Sequence, residues 1–243
     1  PAPVSPVQSS SYPTVLFNAM VKPWTAFPIK GVIWYQGEAN VGRSEQYGDL
    51  FPALITDWRR QWRSDFPFYF VQLANFMESK KIQPDSEWAA LREAQTKALK
   101  LDQVGMAVTI DIGLADDIHP KNKQEVGRRL ALVALAGSYG KNVSSSAPVF
   151  QNYIIKGNKM ELDFGQKQDG FQIKGTTLKG FTIAGPDRVF YPAEAMVHDG
   201  KIILSSTEVP APLAARYGWA DNPDCNLYGE NGLPVAPFRT DCW

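Results

Sequence analysis

Apolar residues in the first 140 positions follow two alternating patterns. Continuous apolar runs, which predict buried strands, occur in GVIWY (31–35), FPFYFVQL (66–73) and VGMAVTIDI (104–112). Apolar residues at helical spacing, which predict amphipathic helices, occur over 46–62, 86–101 and 122–140. Buried strands that alternate with amphipathic helices are typical of the α/β class, in which helices cover both faces of a parallel sheet.

The helical segments carry start and stop signals. Ser86 is a plausible N-cap for the second helix, and the third is expected to stop near Gly140. In the first helix the spacing predicts that Leu50, Leu54, Trp58 and Trp62 share one buried face. Three strands are fewer than the five or six usual in such sheets, so we expect a further strand before residue 1.

The pattern changes near residue 145. Short strand-like runs separated by Gly-Asn, Asp-Gly and Gly-Pro predict a small antiparallel β unit. The tail from residue 216 has little regular pattern and is expected to lie irregularly over another surface. The Pro- and Ser-rich residues 1–14 indicate an extended lead-in.

Charge and composition narrow the classes of partner. The 243 residues contain 25 Lys and Arg against 25 Asp and Glu, and no block of like charge predicts binding to nucleic acid or an anionic membrane. No apolar run approaches the roughly 18 residues that a membrane span needs.

The N-terminus has neither Met nor a signal-peptide pattern, so the sequence leaves open whether a signal peptide has been removed. Whether Cys225 and Cys242 pair is also left open.

Candidate chemistry lies in the loops after the predicted strands, where open α/β sheets bind ligands. These loops contain QGEAN, ANF and GLADDIHP. In the last, His119 follows Asp116 and Asp117, and a carboxylate can orient an imidazole that acts as a general base. The alternative is a histidine that merely packs or caps ahead of the third helix. His198, in HDGK, is interpreted as a surface turn residue.

Polar groups also cluster after the first strand. Gln36, Gly37, Glu38 and Asn40 offer amide groups and a flexible backbone that can donate hydrogen bonds to an oxyanion. An equally weighted alternative is that Glu38 and Asn40 only hold the loop by local hydrogen bonds.

No nucleophile accompanies these groups. The chain has no G-x-S-x-G motif, and neither Ser44 nor Ser9–Ser11 occupies a strand-to-helix turn. The two histidines lack metal-ligand spacing, and no phosphate-binding glycine motif is present, so no metal or cofactor is expected.

Five sequence blocks resemble those of a known family, the sialate O-acetylesterases, which are relatives of the SGNH hydrolases. The blocks are IKGVIWYQGEAN, YGDLFPALITDWRRQW, FPFYFVQLANF, DIHPKNKQEVGRRLAL and RYGWADNPDCNLYGENGLPVAPFRTD. The resemblance implies an SGNH-like, flavodoxin-like α/β domain over 15–142, lacking its first strand, and a β-rich domain with an irregular tail over 143–243. It implies metal-independent hydrolysis of acetyl esters on sialic acid by a Ser-His-Asp mechanism, in a secreted, periplasmic or lysosomal enzyme.

The resemblance also implies roles for individual residues. His119 matches the general base, and Asp117, two residues before it, is slightly favoured over Asp116 as its orienting acid. Gln36 and Gly37 match the QGE block near the oxyanion hole, which also contains Glu38, and Asn40 closes that motif.

The family's serine lies in a GQSN-like block, and no such block occurs here. We therefore expect the serine in an upstream segment or a second chain, and this chain alone to be inactive. Two alternatives remain: an esterase acting on acetylxylan or another polysaccharide, and a non-catalytic carbohydrate-binding unit.

Overall fold

A parallel sheet of three strands forms the centre of the N-terminal part in a computed structural model, which describes residues 12–165 and 170–243. The strands are β1 (Val32–Trp34), β2 (Phe68–Val71) and β3 (Val104–Ala107), in the order β1-β2-β3. Both pairs are parallel, with Phe68 opposite Val32 on one side and Val104 on the other. The predicted α/β class with a parallel sheet is confirmed, whereas the finer SGNH-like assignment stays a prediction.

Three helices cover the two faces of this sheet. They are α1 (Ser44–Trp62), α2 (Glu87–Thr96) and α3 (Lys123–Gly137), with short 3-10 segments at Lys22–Trp24, Glu38–Asn40 and Lys97–Lys100 and a π-helical turn at Phe17–Val21. Phe68 and Phe70 of β2 pack with α1 and α2, while Tyr69 and Val71 pack with α3. The predicted cap is confirmed, because the Ser86 side chain accepts a hydrogen bond from the Ala89 N–H at 2.9 Å.

The predicted buried face of α1 is partly wrong. Leu50 is 54% exposed, whereas Tyr47, Phe51 and Ile55 are buried. Tyr47 and Phe51 stack with 5.4 Å between ring centroids, and Phe51 also contacts Phe68 edge to face. The rings face the sheet because they bury more apolar area than a leucine would.

Strand β1 is incompletely covered. Val32 and Trp34 are half-buried toward α1, but Ile33, on the opposite face, is 70% exposed. Within the described residues, β1 pairs with β2 only, so its other edge presents free backbone groups. A free, apolar edge on a parallel strand is an arrangement that proteins normally cover.

The C-terminal part is antiparallel, as predicted. Its strands are β4 (Asn152–Lys156), β5 (Lys159–Asp163), β6 (Phe171–Ile173), β7 (Phe181–Ala184), β8 (Phe190–Pro192), β9 (Glu194–His198), β10 (Lys201–Ser205), β11 (Ala214–Tyr217), β12 (Leu227–Gly229) and β13 (Phe238–Arg239). They form sheets in the orders β4-β5-β10-β9, β13-β11-β7-β8 and β12-β6. The tail is therefore less irregular than predicted, because β12 and β13 add strands to these sheets.

A buried arginine joins the two parts. Arg92 of α2 is fully buried, and its guanidinium donates to the carbonyl oxygens of Leu73 and Ala74 at 2.8 Å each. It also donates to those of Ala220 at 2.7 Å and Asp221 at 2.8 Å. Burial lowers the pKa of Arg92. The tail thus lies over the α/β part, as expected, and the domain boundary at residue 142 stays a prediction.

Among the described residues, no helix is long and apolar enough to cross a membrane.

Replacing Arg92 with Met should lower the free energy of unfolding by about 3 kcal/mol or more, because buried carbonyl groups lose their donors. Urea denaturation of R92M measures this, and R60M, which removes a guanidinium from an exposed site, is the control. A loss in R92M no greater than in R60M would contradict the structural role of Arg92.

Candidate active site

The loops that follow β1 and β3 meet at one pocket. The pocket has a volume of about 360 Å³ and is lined by Tyr35, Gln36, Glu38, Ala39, Ile118, His119, Pro120 and Lys123. It lies at the carboxyl ends of parallel strands, where the sequence predicts a ligand crevice. The structure therefore brings Gln36 and Glu38 together with His119.

The loop after β1 is held by side-chain amides. The Gln36 amide donates to Asn40 Oδ1 at 2.8 Å, and the Tyr47 hydroxyl donates to Gln36 Oε1 at 3.2 Å. Gln95 donates to the Gln36 carbonyl oxygen at 3.3 Å. Gly37 has φ 148°, and an added Cβ would lie 3.3 Å from Gln95 Nε2. Asn40 thus holds the loop, as one sequence interpretation proposed, while Gln36 also lines the pocket.

Glu38 lies near the phenol of Tyr35. Burial, followed by the nearby carboxylate of Glu38, raises the pKa of Tyr35 to about 12. The Tyr35 hydroxyl is buried and has no hydrogen-bond partner among the described residues. Tyr35 therefore stays protonated at neutral pH.

The two aspartates before His119 occupy different environments. Asp117 Oδ1 accepts a hydrogen bond from the His119 backbone N–H at 2.9 Å and lies 3.6 Å from His119 Nδ1. Asp116 is exposed, and within residues 12–165 and 170–243 it makes no ion pair with His119. The His119 side chain is 85% exposed. Asp117 is therefore the aspartate beside the imidazole, at a distance that a small movement would convert to a hydrogen bond.

Asn75, in the loop after β2, supports the loop that contains His119. Its Oδ1 accepts a hydrogen bond from the Gly113 N–H at 2.6 Å, and its Nδ2 donates to Asn222 Oδ1 at 2.8 Å. The Met77 N–H also donates to the Ala115 carbonyl oxygen at 3.1 Å. The ANF motif marks this loop in the sequence, but the contact with Asn222 of the tail depends on the tertiary fold.

A buried ion pair fixes α3 against the end of β3. Arg129 contacts the two carboxylate oxygens of Asp111 at 2.5 and 2.9 Å, and the Tyr228 hydroxyl donates to Asp111 at 3.1 Å. Hydrogen bonds from Arg128, and then from Arg129, lower the pKa of Glu125 to about 2. Asp111 and Arg129 were not predicted as site residues, and their one local signal in the sequence is the i, i+4 spacing of Glu125 and Arg129.

The part of the pocket lining formed by residues 12–165 and 170–243 contains no serine, threonine or cysteine. Ser44 begins α1 and does not line the pocket, and Ser9–Ser11 lie outside the described residues. No cluster of three metal-binding side chains occurs within the described parts of the chain. His198 is 71% exposed, in agreement with its interpretation as a surface residue.

Both cysteines are free thiols, so the pairing left open by the sequence is not observed. Burial raises the pKa of Cys225 to about 12, which keeps that thiol protonated. Neither cysteine lines the pocket.

Comparisons with known proteins agree with this architecture. Residues 7–136 match the family model described as carbohydrate esterase, sialic acid-specific acetylesterase. The sialate O-acetylesterase of Homo sapiens is 32% identical over 266 residues, covering 97% of this chain and 50% of that protein. The protein of the same name from Rattus norvegicus is 29% identical over 270 residues, covering 97% of this chain and 48% of its own. The chain thus spans about half the length of these curated relatives.

A solved structure is similar over nearly the whole chain. The crystal structure of a carbohydrate acetylesterase from Xanthomonas citri aligns with a TM-score of 0.89 and 46% sequence identity. The alignment covers 95% of this chain and 55% of that one.

Gly113→Ala should destabilise the protein and displace the loop that contains His119, because an added Cβ would lie 1.8 Å from the Asn75 carbonyl oxygen. Gly127→Ala in α3 is the matched control, since no atom lies within 4 Å of its added Cβ. Alanine at position 127 should raise the free energy of unfolding by about 0.5–1 kcal/mol, because glycine in a helix interior loses more backbone entropy on folding than alanine does. Urea denaturation compares the two variants, and equal stability would refute the proposed packing at Gly113.

Proposed function

This chain belongs to the sialic acid-specific acetylesterase family of carbohydrate esterases, and we propose that it contributes the base and oxyanion donors of an enzyme that removes O-acetyl groups from sugars. The observation that supports this most directly is the shared pocket of His119 and Gln36, with Asp117 beside the imidazole. These are the groups that acyl transfer needs around a reacting carbonyl, apart from the nucleophile.

In the proposed mechanism, a serine hydroxyl attacks the acetyl carbonyl carbon while His119 takes its proton. Asp117 holds the imidazole and stabilises its protonated form, and the Gln36 amide, which lines the pocket, donates to the oxyanion; Gly37 is buried behind this lining. The tetrahedral intermediate collapses to acetyl-serine, and the sugar oxygen leaves with the proton from His119. Water then attacks the acetyl-serine with His119 again as base, which releases acetate and regenerates the serine.

We propose that this serine belongs to a segment outside residues 1–243. Three observations support the proposal: the described pocket lining has no serine or thiol, His119 is 85% exposed, and Ile33, on the face of β1 opposite α1, is 70% exposed. A strand that pairs with the free edge of β1 would end at the same edge of the sheet as the loops that form the pocket, because the carboxyl ends of parallel strands meet at one edge, and the crossover helix joining it to β1 could cover Ile33. The pocket contains a phenol, Tyr35, but its pKa of about 12 argues against a role as nucleophile.

The proposed substrate is O-acetylated sialic acid, as the family description suggests. The alternative substrate is acetylxylan or another polysaccharide, which is compatible with the broader description, carbohydrate acetylesterase, of the structurally similar Xanthomonas citri protein. A secreted or periplasmic location stays a prediction.

In the complete enzyme, His119→Ala should leave no more than a few per cent of the acetate release. Asp117→Asn should lower kcat by about 100-fold or more, because the imidazole loses its orienting charge. Asp116→Asn is the matched control and should change kcat less than about threefold, as expected for an exposed carboxylate. The assay measures acetate released from O-acetylated N-acetylneuraminic acid and from acetylxylan in parallel, which also separates the two substrate candidates.

Each alternative predicts a different outcome. Full activity of H119A would contradict the general-base assignment, and a larger loss in D116N than in D117N would exchange the roles of the two aspartates. If the unaltered enzyme binds sugar but releases acetate from neither substrate, the protein is a non-catalytic carbohydrate-binding unit.

A further inference from the structure

One cation in the pocket has no role in the proposed chemistry. Lys123, the first residue of α3, lines the same pocket as His119, and its Nζ lies 5.1 Å from the centroid of the Tyr35 ring. Among residues 12–165 and 170–243, no carboxylate forms an ion pair with Lys123. The contact with the Tyr35 ring holds the ammonium group at the pocket wall but leaves its charge uncompensated.

The position of Lys123 does not favour stability. The N-terminus of a helix carries partial positive charge, so a lysine in the first turn is placed unfavourably, whereas an anion there is stabilised. Elsewhere in this turn the structure follows the usual preference: Asn122 caps α3, and Glu125 is the acidic residue. Lys123 is exposed and pairs with no carboxylate of the described residues, so its ammonium group at the pocket wall is free to bind an anionic group of a ligand.

The charges around the pocket indicate what kind of ligand this is. Glu38 also lines the pocket, close enough to Tyr35 to raise the pKa of its phenol, yet it forms no ion pair with Lys123 among the described residues. The pocket therefore presents two groups that do not pair with each other: the Glu38 carboxylate, which accepts hydrogen bonds, and the Lys123 ammonium group, which is a cation. Sugar hydroxyls donate hydrogen bonds to a carboxylate such as Glu38, whereas an ammonium group favours an anionic group.

We propose that Lys123 is a specificity residue that binds the carboxylate of an acidic acetylated sugar while His119 acts at the ester. This inference rests on the proposed function, since it assumes that the acetyl ester is hydrolysed in this pocket. Acetylxylan has no carboxylate on its xylose units, so Lys123 would select acidic monosaccharides such as sialic acid over the neutral polysaccharide. A pocket volume of about 360 Å³ is within the range that binds one small molecule.

The test uses the complete enzyme and two substrates that differ in one charge: O-acetylated N-acetylneuraminic acid and its methyl ester at the carboxylate. Acetate release gives kcat/KM for each, and their ratio is the preference for the acid. In K123Q this preference should fall about tenfold, mainly through a higher KM for the acid, because one charge-assisted contact is lost. K123R, which keeps the charge, should retain most of the preference.

Lys121 provides the matched control. It lies two residues before Lys123, is exposed and does not line the pocket, so K121Q should keep the preference of the unaltered enzyme. Thermal unfolding of K123Q should show no loss of stability, because the substitution removes a cation from a helix N-terminus.

The outcomes separate this inference from the function on which it rests. If the unaltered enzyme releases acetate from both substrates but shows no preference for the acid, or if K123Q keeps the preference, the role of Lys123 is wrong and the esterase assignment stands. If K121Q loses as much preference for the acid as K123Q, the loss comes from the lower net positive charge of the protein, and the specific role of Lys123 is again refuted. If the unaltered enzyme releases acetate from neither substrate, both proposals fail.

Discussion

The buried guanidinium of Arg92 is the interaction on which the arrangement of the candidate site depends. It donates to carbonyl oxygens at the end of β2 and in the C-terminal tail, namely those of Leu73, Ala74, Ala220 and Asp221. Without these bonds, four carbonyl groups of buried residues would lack these donors, at a cost of about 1–3 kcal/mol for each group left unsatisfied. Immediately after Ala74, Asn75 holds both the loop that contains His119 and, through Asn222, the same tail. The position of His119 therefore depends on the contact between the two parts of the chain.

The features predictable from the sequence are those with a local physical cause. The run FPFYFVQL predicts a strand buried on both faces, and β2 is buried throughout because helices pack on either side. Ser86 caps α2 because its hydroxyl reaches a backbone N–H three residues on. Leu50 was assigned wrongly, since helical spacing alone does not say which of two adjacent apolar faces the aromatic rings will occupy.

The features that the sequence did not predict depend on distant contacts. Arg92 is a charged residue of an amphipathic helix, a residue type that is usually exposed, and its burial is detectable only once the tail is in place. Strands β12 and β13 are three and two residues long, too short for periodicity to indicate. Spacing likewise does not distinguish Asp117 from Asp116 as the neighbour of His119, because the backbone turn that brings Asp117 to the histidine N–H decides it. Of the candidate site, the sequence predicted the two loops but not the residues that hold them together.

We propose that a serine outside residues 1–243 completes the site around His119. The most direct measurement is labelling of the complete enzyme with a serine-directed fluorophosphonate, followed by peptide mass spectrometry. We expect one modified serine outside these residues, at a level that falls sharply in H119A because the base that activates the serine is lost. Modification of Ser44 or of Ser9–Ser11, or labelling that is unaffected in H119A, would contradict it.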